Sequence, residues 1–309
     1  MIPLIKLRED LRFAKELLEM IDVLKSATSS QFRGLQQKRK GFEDFKFKLE
    51  EFQSDFGVGQ GTRHPFLTEN KKLPKAVVMI TSDEGFLGSL NALVLAAGLE
   101  QAAGEDELIV MGERGSRYLA ESQSRAFTYL AGIGDDISYN RAAAVRDMLI
   151  THFLEGRIGS VLVAYPRFMS LTVQRIEVTR ILPCGDIFGR KEGEDGKAVI
   201  RRRSARPALA EPSPESVVDY MVRAFLMQKF HDIFLDSKLS ECAARIIHLE
   251  GSHEEIKNLN RKLMYDYFKH LHEKSDKNIR EIFASRLRWR EEEKEELALR
   301  LKGVQKHGA

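Results

Sequence analysis

Both ends of the chain carry hydrophobic residues at alternating steps of four and three. Near the N-terminus these residues are Leu7, Leu11, Ala14, Leu18 and Ile21. Near the C-terminus the same seam is marked by Cys242, Ile246, Leu249, Ile256, Leu263 and Tyr267, with steps of seven from Leu249 to Ile256 and from Ile256 to Leu263. This spacing places one narrow apolar seam along a helix, as in a coiled coil. Because a long helix with one apolar seam depends on packing for its stability, we expect the two end helices to pack against each other.

The N-terminal helix is predicted to run from about residue 4 to about residue 56, with possible breaks at Gly34 or Gly41. Polar residues occupy the seam within residues 25–30 and weaken its packing there. Three glycines between residues 57 and 61 then end the helix. Each glycine lowers helix stability by about 1 kcal/mol and permits turn geometry.

The C-terminal helix is predicted to begin after Ser213, which suits the N-cap position. Pro214 suits the first helical position, and Glu215 suits the first turn because a carboxylate is favoured near a helix N-terminus. The helix is expected to continue to about residue 302. The helix could be interrupted at residues 251–252 and 275–276, because glycine and serine are poor helix formers.

The middle of the chain alternates between short apolar runs and helical patterns. The apolar runs lie at residues 76–81, 108–111, 126–129 and 160–164, and the helical patterns lie at residues 86–103, 115–122 and 140–155. This order predicts a mostly parallel sheet covered by helices. Residues 173–182 alternate between two faces and predict an antiparallel edge strand. Residues 184–212, rich in Gly, Pro and charge, predict a long loop or hairpin.

Composition limits the class of protein. The 309 residues are 43% hydrophobic and 31% charged, with a net charge of +3, so a globular core is expected and charge alone does not predict nucleic-acid binding. Cys184 and Cys242 lie far apart and are expected to be reduced cytosolic thiols. No apolar run approaches the roughly 18 residues of a membrane span. We therefore expect a soluble, cytoplasm-facing protein that is at most peripheral to a membrane.

The turn at residues 82–91 follows a predicted strand and precedes a helix, which is where an α/β fold can bind phosphate. It lacks the glycine spacing of the known phosphate-binding motifs. Asp83 and Glu84 would also repel a phosphate. We therefore favour a tight structural turn, in which Gly88 permits close packing of helix on strand.

No other cluster predicts catalysis or a metal site. His248 and His253 are five residues apart, so they do not share a helical face as a metal pair would. No nucleophile motif and no carboxylate pair is present near the predicted turns. The basic run Arg201–Arg202–Arg203 is interpreted as a solvated loop in preference to a nucleic-acid contact. We predict no catalytic residue, no metal and no cofactor.

Five motifs in order resemble the γ subunit of F-type ATP synthases. They are the N-terminal helix from Leu7 to Arg33, H-P-F-L at residues 64–67, T-S-D-E-G-F-L-G-S-L-N at residues 81–91, the stretch ending in I-L-P at residue 183, and E-P-S-P with S-E-C-A-A-R-I from residue 211 to residue 246. The resemblance spans residues 7 to 285. Glu84 stands where the family has a basic residue. The family's C-terminal motif is only approximate at residues 278–285, and the chain continues beyond it, which suggests a divergent or alternative-type member.

The resemblance implies an α/β fold class: a long antiparallel coiled coil of the N- and C-terminal helices with an inserted, mostly parallel Rossmann-like α/β domain. The shaft helices would be residues 1–56 and 213–309, and the insert residues 57–212. It also implies a non-catalytic central rotor that transmits torque between the membrane c ring and the catalytic α/β hexamer of a proton- or sodium-translocating enzyme.

The partners implied by the resemblance are the α and β subunits, the ε subunit and the c-subunit ring, with no nucleic acid. The location implied is the cytoplasmic side of the inner (cell) membrane, peripheral through the complex. The residues expected to contact partners are Lys25, Ser29, Ser30, Arg33, Arg245, Asn278 and Glu281. The alternative is a coiled-coil adaptor whose α/β domain binds a nucleotide or nucleic acid.

Overall fold

A computed structural model describes residues 4–55, 65–67, 70–122, 125–134, 137, 139–184 and 213–305, with side chains described except at 40–55, 67, 214, 218 and 295–305. The contacts divide the chain into two compact units. One unit is Leu24–Glu250, and the other comprises Met1–Val23 and Gly251–Ala309. The predicted basic run Arg201–Arg203 lies outside the described residues.

Two long helices, α1 (Leu4–Asp55) and α5 (Pro214–Gln305), begin and end the described chain. Both continue through the glycines and serines at which breaks were possible, including Gly34, Gly41 and Gly251. An isolated glycine costs a helix only about 1 kcal/mol, and the neighbouring turns offset that loss. The predicted start of α5 is confirmed, because the Ser216 backbone N–H donates to Ser213 Oγ at 3.2 Å.

The seam predicted from the sequence is buried. In the unit that contains both chain ends, Leu7, Ala14 and Ile21 are buried, and Asp22 Oδ1 lies 3.5 Å from His253 Nε2 on α5. The half-buried positions of α5 in this unit include Ile256, Leu263, Tyr267 and His270.

The same two helices are paired within the larger unit. Lys25 forms an ion pair with Glu250, and Arg39 lies 3.6 Å from Asp236. Because later positions of α1 contact earlier positions of α5, the helices run antiparallel. The seam continues through Thr28, which is buried and donates its hydroxyl to the Leu24 carbonyl at 2.8 Å.

A five-stranded sheet forms the centre of the larger unit, with strand order β3-β2-β1-β4-β5. The strands are β1 (Lys75–Ile80), β2 (Glu107–Met111), β3 (Thr128–Leu130), β4 (Ser160–Phe168) and β5 (Gln174–Leu182). The helices between them are α2 (Leu90–Gln101), α3 (Glu113–Ser122) and α4 (Tyr139–Leu154). β1 pairs in parallel with β2 and β4, whereas β5 pairs antiparallel with β4. The predicted parallel sheet and its antiparallel edge strand are therefore confirmed.

Two layers of helices cover the sheet. One face packs on α2 and α3 through buried residues that include Val77, Met79, Leu95 and Leu119. The other face packs on α4 and α5 through buried residues that include Val78, Ile109, Val163, Leu149, Phe230 and Phe234. α5 is consequently part of the core of the α/β domain as well as a partner of α1.

Phe234 offers a test of this shared core. Replacing Phe234, which is fully buried, by alanine removes a ring between α5 and the sheet and should destabilise the protein by about 3–5 kcal/mol. The exposed residue Tyr220 on the same helix is the matched control, and its replacement by alanine should change stability by about 0.5 kcal/mol or less. Urea unfolding of the full chain, followed by circular dichroism, measures both. Equal effects of the two substitutions would contradict the described core.

Candidate functional site

The turn between β1 and α2 is longer than the sequence predicted. Phe86 has φ of 63° and Gly88 has φ of 57°, so neither residue can belong to a right-handed helix. The prediction that the helix begins at Phe86 is therefore wrong, and α2 begins at Leu90. The four extra turn residues leave the Phe86 side chain mostly exposed.

Hydrogen bonds within the turn fix its shape. The Ser82 backbone N–H donates to Asn91 Oδ1 at 3.1 Å, and Asn91 Nδ2 donates to Ser82 Oγ at 2.8 Å. Ser82 Oγ in turn donates to the Glu84 carbonyl at 2.8 Å. These bonds join the first residues of the turn to the first turn of α2, so the loop between them has little freedom.

Asp83 lies at the N-terminus of α3. Its Oδ1 accepts a hydrogen bond from the Glu113 backbone N–H at 3.1 Å. A helix N-terminus attracts anions, and here the protein supplies its own carboxylate. The carboxylate also lies against Gly132, where any larger side chain would overlap it. Asp83 thus occupies the anion position at the N-terminus of α3.

α5 packs directly on this turn. Arg245 Nε donates to the Gly85 carbonyl at 3.3 Å, and Arg245 Nη2 lies 2.9 Å from Glu84 Oε2. The Arg245 side chain is 7% exposed, whereas that of Glu84 is 55% exposed. Gly88 lies against the His248 ring, so a side chain at this position would overlap α5. The prediction that Gly88 permits packing of helix on strand is wrong, because its close neighbour is α5.

A buried ion pair lies one turn before Arg245 on α5. Lys238 Nζ and Glu241 Oε2 are 3.0 Å apart, and both side chains are buried. Burial raises the pKa of Glu241, because the charged carboxylate is poorly solvated there. Burial opposes the charge of Lys238 as well, but the adjacent Glu241 carboxylate raises the pKa of Lys238 and keeps it protonated.

Cys242 follows this pair and faces α1. Its Sγ donates to Gln31 Oε1 at 3.5 Å, and burial, followed by the nearby Glu241 charge, raises the pKa of Cys242 to about 11. A thiol with this pKa stays neutral near pH 7 and is a poor nucleophile. Neither cysteine forms a disulfide within the described residues, and both side chains are buried.

A cavity of about 590 Å³ opens beside the turn. Its walls come from α1, the turn and α5: Leu24, Ala27, Thr28, Gln31, Glu84, Gly85, Phe86, Arg245 and Leu249. The wall is mainly apolar, with one carboxylate and one guanidinium that already contact each other. Such a surface suits a protein side chain or loop better than a nucleotide.

The predicted contact residues fall in both units. In the larger unit, Arg245 lines the cavity, Lys25 pairs with Glu250, and Ser29 Oγ donates to the Lys25 carbonyl at 2.7 Å. Ser30 and Arg33 are exposed on α1. In the other unit, Asn278 and Glu281 are exposed on α5, and Lys277 Nζ lies 3.9 Å from Glu281 Oε1.

The charged residues that surround Arg245 were not predicted to form part of the site. Lys238, Glu241 and Arg245 are spaced three and four residues apart, which places them on one helical face. Charges at that spacing inside an apolar run could have predicted a buried ion pair. Such a run should be buried, and its charges must then be paired. The contact between Gly88 and His248 had no comparable signal.

Comparison with known proteins agrees with this architecture. A family model described as ATP synthase matches residues 4–285. The chain belongs to this family. The ATP synthase γ chain of Clostridium perfringens (strain SM101 / Type A) is 23% identical over 268 residues, covering 85% of this chain and 90% of that relative. The resemblance to γ subunits predicted from five motifs is confirmed.

Two solved structures share the fold of this ATP synthase family member. The rotor of the Euglena gracilis mitochondrial ATP synthase in rotational state 1 has a TM-score of 0.65 at 18% identity, covering 87% of this chain and 98% of that chain. A chain of the OSCP/F1/c-ring structure from the same organism has a TM-score of 0.65 at 17% identity, covering 91% and 93%. The predicted fold class is confirmed.

The described residues of this family member contain neither a membrane-spanning helix nor a cluster of metal ligands. None of its described helices combines the length and apolar character needed to cross a membrane. Among the described side chains, His, Cys, Asp and Glu residues do not gather in groups of three or more that could coordinate a metal ion.

The buried pair of Lys238 and Glu241 can be tested by removing one partner. Lys238→Met leaves the Glu241 carboxylate buried beside Cys242 and should destabilise the protein by about 3–5 kcal/mol at pH 7. Because burial raises the pKa of Glu241, the folded variant binds a proton more tightly than the unfolded chain does. The deficit should therefore shrink as the pH is lowered below 7. Urea unfolding between pH 5 and pH 8 measures it.

The double variant Lys238→Met/Glu241→Leu is the matched control. It replaces both charges by apolar groups of similar size, so most of the stability should return. Loss of stability that is equal in the single and double variants, and independent of pH, would contradict the ion pair.

Proposed function

We propose that this chain is the central-stalk γ subunit of an F-type ATP synthase or ATPase and transmits torque between the membrane c ring and the catalytic hexamer. The proposal rests on one observation, which is that α5 contacts both the sheet and α1 within the larger unit. Its residues pack on the sheet, and the same helix is paired with α1. A rotation applied to the α/β domain would therefore be transmitted directly to the paired helices.

Several contacts support a stiff connection. Arg39 on α1 lies 3.6 Å from Asp236 on α5 and also stacks over the Phe168 ring at the end of β4. Phe32 contacts the same ring edge to face, at 5.6 Å between centroids. The Ser240 hydroxyl on α5 donates to the Pro166 carbonyl at 3.0 Å. Helices α1 and α5 and the sheet thus share contacts that would resist relative rotation.

We propose that the chain performs no chemistry of its own and that ATP is bound by the β subunits. The fixed turn after β1, with Asp83 at the N-terminus of α3, supports this proposal. So does the neutral thiol of Cys242. In this proposal residues 1–56 and 213–309 form the shaft, and residues 57–212 form the domain nearer the membrane.

The proposed partners are the α and β subunits, the ε subunit and the c-subunit ring. The Euglena structures are those of a rotor and of an OSCP/F1/c-ring assembly, and the shared fold supports a similar setting for this chain. The chain would then be peripheral to the cytoplasmic side of the cell membrane, attached through the complex.

The exposed residues Ser30, Arg33, Asn278 and Glu281 are the proposed direct contacts with the hexamer. Lys25 and Ser29 are proposed contacts that also have partners within the chain. Arg245 is proposed to act indirectly, by positioning other residues. Because its guanidinium is buried against the turn, it would position Glu84 and Phe86, which are exposed and can reach a partner.

Charge reversal at exposed contact positions tests the rotor function. Arg33→Glu and Glu281→Lys should reduce ATP-driven ion pumping by about tenfold or more in the complete complex reconstituted into vesicles, because each contact would become repulsive. The unfolding free energy of the isolated chain should change by about 0.5 kcal/mol or less, as for other surface changes. Lys72→Glu, an exposed substitution in the turn before β1, is the matched control. Normal pumping by both contact variants would contradict the proposed contacts.

Nucleotide binding by the α/β domain is the competing function. Adding millimolar ATP, ADP or NAD to the purified chain should leave its melting temperature unchanged, because Asp83 fills the anion position at α3. Asp83→Asn serves as the comparison, since it removes the repelling charge and retains the shape. A rise in melting temperature with the unaltered chain would favour the nucleotide-binding function over the rotor.

A further inference from the structure

The cavity between α1, the turn after β1 and α5 contains a buried donor without a hydrogen bond. Arg245 Nη2 has no hydrogen-bond partner in the described chain, and the Arg245 side chain is 7% exposed. Glu84 Oε2 lies 2.9 Å from this nitrogen, which is ion-pair distance, but the two groups are not aligned as a hydrogen bond. Because a buried N–H group without an acceptor is unfavourable, a further acceptor is favoured at this position.

The other polar groups of the described cavity wall already have partners. The Thr28 hydroxyl donates to a carbonyl of its own helix at 2.8 Å, and Gln31 Oε1 accepts from Cys242 Sγ at 3.5 Å. Arg245 Nε donates to the Gly85 carbonyl at 3.3 Å. Arg245 Nη2 is therefore the donor in this wall that a ligand can satisfy.

Glu84 lies against this donor but is not fixed there. Its side chain is 55% exposed and can turn into solvent, whereas the Arg245 side chain is enclosed between α5 and the turn. An ion pair with one partner this exposed contributes little to stability, because water screens it. A carboxylate from a ligand can therefore displace the Glu84 carboxylate from Arg245 Nη2.

The neighbouring charges leave Arg245 available for a carboxylate. Glu241, a buried acid one turn earlier on α5, is paired with Lys238 at 3.0 Å. The Asp83 carboxylate accepts a backbone N–H at the N-terminus of α3. When Glu84 turns away, no other carboxylate of the described side chains lies at ion-pair distance from Arg245. The charge of the site then matches one carboxylate, which binds a guanidinium more strongly than a neutral acceptor does.

Most of the remaining cavity wall is apolar. It consists of Leu24 and Ala27 of α1, Phe86 of the turn and Leu249 of α5. The volume of about 590 Å³ falls within the range of small-molecule sites, roughly 300–1,000 Å³. Phe86 has φ of 63° and is 63% exposed, and a strained backbone of this kind is common at ligand sites. The wall is suited to an apolar chain attached to the carboxylate.

We propose that this cavity binds a small organic acid with an apolar chain. The carboxylate binds Arg245 Nη2 in place of Glu84, and the chain lies against the apolar wall. Glu84 is an internal competitor of the ligand and lowers its affinity. A bound acid contacts α1, the turn and α5 together, so it connects the three elements that meet at this position.

The inference goes beyond the rotor function and does not depend on it. The described cavity wall lies within one unit of this chain, so a site for a free acid needs no other subunit. An acidic side chain of a partner subunit is a different source of the same carboxylate chemistry. The last experiment below distinguishes the two sources.

Titration of the purified full chain with sodium hexanoate, followed by saturation-transfer NMR, tests the site. Hexanoate should bind, and Glu84→Gln should lower its dissociation constant by about tenfold, because the competing charge is removed and the side-chain size is kept. Glu113→Gln is the matched control, since Glu113 is 58% exposed, pairs with Arg117 and lies outside the cavity. No binding, or equal affinities of the unaltered chain and Glu84→Gln, would overturn the proposal.

Two comparisons identify the groups that bind the acid. Hexanamide keeps the apolar chain without the charge and should bind the Glu84→Gln variant about tenfold or more weakly than hexanoate does. Adding Arg245→Met to that variant should weaken hexanoate binding by about the same factor. Equal binding of hexanoate and hexanamide, or an affinity that Arg245→Met leaves unchanged, contradicts the assigned site.

Ala27→Phe keeps the site testable if the Arg245 variant does not fold. Ala27 is an exposed residue of α1 that lines the cavity, so a phenyl ring there fills the space without removing a charge. The dissociation constant of hexanoate should rise by about tenfold or more. Ala96→Phe, at an exposed alanine of α2 outside the cavity, is the matched control and should leave it unchanged. Equal effects of the two substitutions would show that hexanoate binds elsewhere.

Photo-crosslinking distinguishes a free acid from an acidic side chain of a partner subunit. A diazirine derivative of hexanoate should label this chain in the complete complex as it labels the purified chain, with excess hexanoate preventing both reactions. Labelling of the purified chain alone would assign the site to a partner's carboxylate and overturn the small-molecule assignment. Neither readout depends on ion pumping, so failure of this site and failure of the rotor function are distinguishable.

Discussion

The burial of α5 within the larger unit is the constraint on which the rest of that unit depends. Every residue from Ser237 to Arg245 is buried, so this segment of helix is enclosed on all sides. Phe230 and Phe234 fill the space against the sheet, and Leu35 of α1 belongs to the same core. An enclosed helix gains much apolar burial, but each of its polar groups then requires a partner within the protein.

The polar contacts around α5 follow from that requirement. Ser237 donates to the Ile233 carbonyl, Lys238 pairs with Glu241, and Arg245 contacts the turn after β1. The Arg245 contact connects α5 to the turn after β1. In that turn Phe86 has a positive φ, and its side chain is exposed. In the proposed rotor, the same contacts that satisfy buried charges would position the exposed side chains of the loop relative to the paired helices.

The sequence predicted most of the fold, because hydrophobic periodicity reports directly on which face of an element is buried. The seam at Leu7, Ala14 and Ile21 is buried as expected, and the order of strands and helices was predicted with small differences in their ends. The contacts within the site were not predicted. The Arg245 guanidinium lies against the Gly85 carbonyl and Glu84, and its contact with a partner stays a prediction. A contact between residues that are 160 positions apart leaves no periodic pattern in either segment.

The sequence by itself determined the paired end helices, the mostly parallel sheet and the family, since these depend on local spacing and on short motifs. Tertiary structure decided the late start of α2, the contact of Gly88 with His248 and the burial of Lys238 with Glu241. The physical reason is that backbone conformation in a turn and the pairing of buried charges depend on groups brought together from distant segments. The same distinction applies to α5 beyond His270, where the sequence shows apolar spacing and opposite charges. The structure shows that these residues remain exposed.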